Sequence, residues 1–292
     1  MKIPFVKMHG AGNDFVMLNG LSSLLPLDIS GFSKRCCDRR FGIGADQVLV
    51  LKKSAVADFA MEIYNADGGK VEMCGNGIRC LVKYIRDQGL SDKHDFVIET
   101  AAGLIKPSLI TDHPQNSQNQ MWVRVDMGVP VLEGEKIPVL FKGTVINHPL
   151  VLKNAVALDQ SDPKEFRITA VSMGNPHCVI FVDDVTHFPV TKIGPFIEHD
   201  PFFPQRVNVE FVQVMSRQRL IQRTWERGSG ETYACGTGAC AVVVAAFLNG
   251  LVDRKVSIAL KGGTLDLQWD EHSGHVFKTG PAETVYEGEL TL

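Results

Sequence analysis

One stretch of this chain repeats another, and the repetition limits the possible folds more than any composition value. The segment "NADGGKVEMCGNGIRCLVKYIRDQGL" (65–90) aligns with "ERGSGETYACGTGACAVVVAAFLNGL" (226–251) at an offset of 161 positions. Cys74-Gly75-Asn76-Gly77 then lies over Cys235-Gly236-Thr237-Gly238, and Gly89-Leu90 over Gly250-Leu251. The register extends outward, with Gln47 falling on Asn208 and Asn65 on Glu226, while "GND" (12–14) approaches "GNP" (174–176) at an offset of 162. A short glycine motif recurs by chance. One that also fixes a helix end and outlying polar positions indicates an internal duplication.

Each half then reads alike. In the first, "DQVLVL" (46–51), "DFVIET" (95–100) and "MWVRVDM" (121–127) carry the β-branched or alternating pattern of strands, as do "HCVIFV" (177–182), "NVEFVQVM" (208–215) and "VSIAL" (256–260) in the second. A helix follows each Cys-Gly motif. Ile78, Leu81, Val82 and Ile85 recur at helical spacing, and from Ala239 to Leu248 every residue is apolar or cysteine, the pattern of a helix buried on all sides. Gly89 and Gly250 are the natural stops. The polar stretch 107–120 reads as a loop with flanking strand residues, and the Pro-spaced stretch 130–149 as the connection between halves. Many strands around one apolar helix, twice over, is the expected architecture.

Composition narrows the partners. The chain has 292 residues, 22% of them charged, and a net charge of -3 with no long basic run, so nucleic acid and anionic membrane are not expected partners and a small molecule is. No segment approaches the roughly 18 apolar residues of a membrane span, and the N-terminus lacks a signal-peptide pattern, which places the expected site of action in the cytoplasm. Seven cysteines, without a CxxC pair, read as free thiols. Cys36, Cys37, Cys80, Cys178 and Cys240 fit the ordinary use of cysteine as a small buried hydrophobe.

Cys74 and Cys235 fit a different use. Each opens a helix, where unpaired N–H groups and the helix dipole favour a thiolate, and each is followed by glycines that let a ligand reach backbone N–H groups. If the halves face each other across a cleft, their pseudo-symmetry brings a thiol to each side of it. Two opposed acid/base groups suit stereochemical inversion: one thiolate takes a proton from one face of a carbon, and the other thiol returns one to the opposite face. The helix N-termini would hold a carboxylate and stabilise the charge that develops beside it, in place of a cofactor.

These residues resemble the diaminopimelate epimerase family. The matching stretches are "KMHGAGNDFV" (7–16), "GIGADQ" (42–47), "NADGGKVEMCGNGIRC" (65–80), "SMGNPHCV" (172–179), "RVNVEFV" (206–212) and "WERGSGETYACGTGACA" (225–241), in order over nearly the whole chain. The resemblance implies an α+β fold of two pseudo-symmetric domains, each a mixed β-sheet curled around a central helix. The first would be residues 1–126, with the C-terminal strand 281–292 crossing back to it, and the second residues 127–280. It implies a pyridoxal-independent epimerase that interconverts LL- and meso-2,6-diaminopimelate for lysine and peptidoglycan precursors, with no cofactor and no metal, acting as a homodimer. Cys74 would donate the proton and Cys235 accept it in the LL to meso direction, with the roles exchanged in reverse. Substrate contacts would come from Asn13, Gln47, Asn65, Asn175, Asn208, Glu226 and Arg227 and from the backbones of Gly75, Asn76, Gly236 and Thr237, with His177 and Glu226 modulating thiol acidity.

The residue chemistry agrees with those assignments. Glu226 suits an ammonium group and Arg227 can grip a distal carboxylate in bidentate fashion, while neutral amides orient a ligand without disturbing the thiols. Proline or hydroxyproline racemases of this architecture are the nearest rival, and the second charged end offered by Glu226-Arg227 favours the longer dicarboxylate. A phenazine-pathway isomerase would not need both cysteines. From other classes, a Cys74/Cys235 redox switch and a non-catalytic amino-acid-binding protein are rivals. A metal site lacks further spaced ligands.

Overall fold

The computed structural model describes residues 2–22, 25–152, 158–159 and 162–291. Met1 and Leu292, the outermost residues of the expected first domain, lie outside them. The chain forms two compact units: residues 1–126 with 279–292, and residues 127–278.

The first unit contains β1 (Lys2–Gly10), β2 (Asn13–Asn19), α1 (Ile29–Cys36), β3 (Gln47–Lys52), β4 (Phe59–Asn65), β5 (Lys70–Val71), α2 (Gly75–Asp87), β6 (Ile98–Thr100), β7 (Gly103–Ile105), β8 (Pro107–Ile110) and β9 (Gln120–Asp126). Strands β1 and β2 pair antiparallel, β2 and β3 parallel, β3 and β4 antiparallel, β4 and β6 parallel, and β6 and β7 antiparallel. The second unit contains β10 (His148–Val151), β11 (Glu165–Ser172), β12 (Pro176–Phe181), α3 (Val190–Glu198), β13 (Asn208–Ser216), β14 (Arg219–Glu226), β15 (Gly230–Thr232), α4 (Gly236–Leu248), β16 (Lys255–Leu260) and β17 (Gly263–Trp269). Its run from β11 through β12, β13, β14 and β16 to β17 repeats the same alternation of antiparallel and parallel pairs. The last strand, β18 (Val276–Thr291), pairs antiparallel with β1 over Glu283 to Thr291.

The fold is therefore α+β, a mixed sheet around a central helix in each unit. Helix α2 packs on β1, β2, β3, β8 and β9, and α4 on β11, β12, β13, β16 and β17. Both are 13 residues long and begin at equivalent positions. In α4 every residue from Ala239 to Ala246 is fully buried. Three consecutive valines are poor intrinsic helix formers, so it is burial, at about 1.5–3 kcal/mol for each such side chain, that decides the conformation. Both helices stop as expected. Gly89 and Gly250 adopt φ of 61° and 71°, and the N–H of the next residue, Leu90 or Leu251, bonds back to Ile85 O or Ala246 O at 3.0 Å, which satisfies carbonyls the helix leaves open.

Three expectations need correction. Each unit holds a second helix, α1 or α3, short and placed between the parallel strands; a parallel pair needs such a crossover. Residues 130–149 are not a connection. Val131 bridges Ser172, residues 134–136 form a 3-10 turn, and Ile137, Val139 and Val145 join the core of the second unit with Phe166, Ile168 and Phe211. The prolines mark turns in an apolar segment that covers this core. Finally, the strand expected over 95–100 is only Ile98–Thr100, since the Asp95 carboxylate takes the Ser108 hydroxyl and leaves a single bridge there. Within the polar stretch 107–120, residues 111–119 form the expected loop, flanked by strand residues of β8 and β9.

Candidate functional site

In the first unit, Cys74 is the N-cap of α2. Its extended backbone (φ −138°, ψ 110°) turns the thiol onto the helix start, where Sγ accepts the Gly77 N–H at 3.5 Å. The thiol also contacts Oδ1 of Asn13 at 3.6 Å, and the Asn76 amide donates to that same oxygen at 3.2 Å. The N–H groups of Gly75 and Asn76, in the first turn, have no carbonyl partner within the helix. Gln47 and Asn65 are register partners on β3 and β4, and the Gln47 amide donates to Asn65 Oδ1 at 2.8 Å. Oε1 of Gln47 stays buried with no hydrogen-bond partner among the described residues.

A charged lattice holds this group in place. Asn13 donates to Asp46, and Arg39 bridges Asp46 and Asp14 at 2.7–2.9 Å. Burial alone would push the Asp14 carboxyl up, but hydrogen bonds from Arg39 and Lys7 outweigh it and hold the group well below the usual carboxylate range. Beneath α2, Arg79 is fully buried, donating to Asn76 Oδ1 at 2.9 Å and to Pro281 O at 3.1 Å.

In the second unit, Cys235 is the N-cap of α4 in nearly the same conformation (φ −107°, ψ 109°), but its side chain makes no capping hydrogen bond. Its Sγ lies 3.6 Å from the Thr237 hydroxyl and is almost wholly buried. Burial pushes the thiol well above its ordinary range, and the Glu226 and Glu210 carboxylates push it further. Asn208, on β13, donates to Pro176 O at 2.9 Å and accepts the Arg227 N–H at 3.0 Å. Glu226 accepts the Thr232 hydroxyl at 2.5 Å, and Arg227 reaches Gln205 O at 3.0 Å. Asn175 lies in the β11–β12 turn, with its Oδ1 at 2.9 Å from Nε2 of His177. His177 is fully buried and meets Glu210 Oε1 through Nδ1 at 2.8 Å.

At the start of α2 the contacts bring together Cys74, Asn13 and Asn76, with Gln47 and Asn65 paired to each other on β3 and β4. At the start of α4 they bring together Cys235 and Thr237, with Glu226 acting on the thiol, while Asn208 and Arg227 bond to each other. Two carboxylates escaped notice. Glu198, at the end of α3, accepts the Trp225 indole N–H at 2.7 Å and the Gly228 N–H at 3.0 Å, fixing the turn that carries Glu226 and Arg227. No local signal marks it. Glu210 had one, an acid within the apolar run "NVEFV" (208–212) of a buried strand. Among the described residues no group of three or more His, Cys, Asp or Glu is arranged to hold a metal ion, and no helix is long and apolar enough to cross a membrane.

Comparison with known proteins places this arrangement. The family model for diaminopimelate epimerase matches residues 5–133 and 169–285. The chain is 48% identical to the diaminopimelate epimerase of Moorella thermoacetica over 289 residues, covering 99% of each chain, and 43% identical to that of Methanococcus maripaludis over 290 residues, again 99% of each. Among solved structures, a PhzF-family phenazine biosynthesis protein of Bacillus anthracis is similar in fold, with a TM-score of 0.68 at 15% identity and full coverage of both chains. A hydroxyproline epimerase of Agrobacterium vitis gives 0.64 at 16% identity, covering 100% of this chain and 93% of the other. The match over most of the length, carried by both cysteine-headed segments, shows that this chain belongs to the diaminopimelate epimerase family.

Proposed function

We propose that this protein interconverts LL- and meso-2,6-diaminopimelate without a cofactor, with Cys74 and Cys235 as its two acid/base groups, on the route to lysine and peptidoglycan precursors. The carrying observation is that the two central helices begin at equivalent cysteines with extended N-cap geometry. In the LL to meso direction Cys235, as thiolate, removes the α-proton. The electron pair left on carbon spreads into the α-carboxylate, whose growing charge is met by the first-turn N–H groups of Gly75, Asn76, Gly236 and Thr237. The Cys74 thiol then delivers its proton to the opposite face. One proton has been taken and another given, and the two sulfurs have exchanged protonation states.

The environment of Cys235 supports a substrate-gated base. Burial and two carboxylates keep the empty thiol protonated. A substrate ammonium beside Glu226 offsets one of those charges and draws the thiol back toward ionisation. Asn13, Gln47, Asn65, Asn175 and Asn208 orient the ligand, and Arg227 takes the distal carboxylate. The proposed working state is a cytoplasmic homodimer with both thiols reduced.

The test is incubation with LL-diaminopimelate in heavy water, following the α-proton by NMR together with meso product, alongside L-proline and hydroxyproline. Loss of the α-proton with meso product, for diaminopimelate alone, is the expected result. Exchange with proline instead would keep the two-thiol chemistry and reassign the substrate, and no exchange in folded, reduced protein would remove both.

A further inference from the structure

The internal repeat supplies a control for every position near the two cysteines. Helix residues Gly77 and Gly238 are equivalent, and each needs glycine because a strand side chain lies against it. A methyl group on Gly77 would meet Leu49 at 3.0 Å, and one on Gly238 would meet Glu210 Oε1 at 2.5 Å and the Cys235 Cβ at 3.2 Å. Leu49 and Glu210 are themselves equivalent, 161 positions apart. The neighbouring strands match as well: Phe15 pairs with Gln47 as His177 pairs with Asn208. Where the first unit has Phe15 and Leu49, both fully buried and apolar, the second has His177 and Glu210, both fully buried and ionisable. The fold accepts apolar side chains there. The second unit instead bears the cost of burying an acid whose Oε2 has no hydrogen-bond partner among the described residues.

We propose that Glu210 is a positioning residue for the Cys235 centre: seated against Gly238 beside the thiol and hydrogen-bonded to His177, its carboxylate disfavours the Cys235 thiolate and so keeps the thiol protonated until substrate arrives. Both His177 ring nitrogens face oxygens, Asn175 Oδ1 and Glu210 Oε1. The groups acting on Cys235 are Glu226 from β14, Glu210 from β13, and the Thr237 hydroxyl and Gly238 N–H of its own helix. Those acting on Glu210 are His177 and Glu226. Burial pushes the Glu210 carboxyl up, the Glu226 charge adds to this, and His177 pulls it back. This inference rests on reading Cys235 as the acid/base thiol, and it assigns a residue outside that reading.

The test uses the reduced full-length protein without substrate. The rate of iodoacetamide modification at Cys235, located by peptide mass, is followed against pH in wild type and in Glu210→Gln. The variant is expected to ionise Cys235 at a pH lower by about one unit, close to a tenfold rise in thiolate at a given pH. An unchanged or higher midpoint overturns the proposal. Should Glu210→Gln fail to fold, Glu210→Leu, which installs the residue its counterpart Leu49 supplies in the first unit, is read in the same way, and an unchanged or higher midpoint again overturns the assignment. Neither readout needs turnover, so a protein inactive on diaminopimelate that still shows the shift loses the proposed function and keeps this one.

Discussion

At matched positions the two units place different chemistry under the same helix start. Cys74 is half-buried, accepts a capping N–H from Gly77 and touches the Asn13 amide, over a floor that includes Leu49 and Phe15. Cys235 is buried, makes no capping bond, and has Glu210 and Glu226 for neighbours. The helix bodies diverge in the opposite sense. Where α2 buries Arg79 and Lys83, α4 has Cys240 and Val244. Duplication therefore kept the backbone and exchanged where charge is buried: within the helix in the first unit, and within the strands beneath it in the second. A repeat of this kind preserves geometry cheaply and lets two equivalent thiols acquire different surroundings.

The largest expected effect tests whether the cysteines are equal partners. Cys74→Ala and Cys235→Ala should each lower epimerisation by about 10³-fold or more while leaving the fold intact. The deuterium-exchange assay reads this, and a variant retaining most of its turnover would break the symmetry of the two roles. Stability comes next. Arg79→Ala strands Asn76 Oδ1 and Pro281 O and should cost about 3 kcal/mol in urea unfolding, against about 1 kcal/mol for Cys240→Ala. Equal costs would mean that the buried cation carries no special weight.

Alkaline titration sharpens the comparison further. Burial pushes Cys178 and Cys235 well above the ordinary thiol range, and Cys80 up to about 12. Their contribution is complete below the unfolded thiol value, about pH 8.5. Above it the unfolded chain sheds protons that the folded chain keeps, so stability falls by as much as about 1.4 kcal/mol per pH unit for each such thiol until the folded value is passed. Cys178→Ala should flatten that fall by one proton's share, measured as unfolding free energy between pH 8 and 10. The smallest effect is the control. Gly89→Ala and Gly250→Ala, whose added methyl groups would meet nothing within 4 Å, should each cost only the left-handed backbone penalty of about 1 kcal/mol. A marked inequality between them would show that the helix ends are not equivalent.

The central helices and their stops were legible because both signals are local: an apolar run, helical spacing and a terminal glycine. The meeting of Asn13 and Asn76 with Cys74, and of Gln47 with Asn65, was legible only through the repeat and the family motifs, since an isolated asparagine more often marks a turn. The short helices α1 and α3 were missed because "ISGFSKRC" and "VTKIGPFIE" carry glycine or proline inside eight or nine residues, and only packing against the strands holds them. Residues 130–149 misled because their prolines outweighed the buried Ile137, Val139 and Val145. Arg79 and Lys83 defied the amphipathic reading of α2. A cation can occupy a core where a carbonyl or carboxylate waits for it: Arg79 finds the distant Pro281 carbonyl, and Lys83 reaches Asp87 one turn on in the same helix.

The second unit is one uninterrupted stretch of chain, whereas the first is completed by residues 279–292, which supply the partner of β1, the Pro281 carbonyl for Arg79 and a Thr284 hydroxyl for Asp87. During synthesis the half that leaves the ribosome first is thus the half that finishes last. Until β18 emerges, β1 is an open sheet edge and the buried guanidinium under Cys74 lacks one of its acceptors. A chain released early, at residue 278, would retain every residue of the later unit and forfeit the closure of the earlier one, so the integrity of the N-terminal cysteine centre is guaranteed only by translation having run to its end.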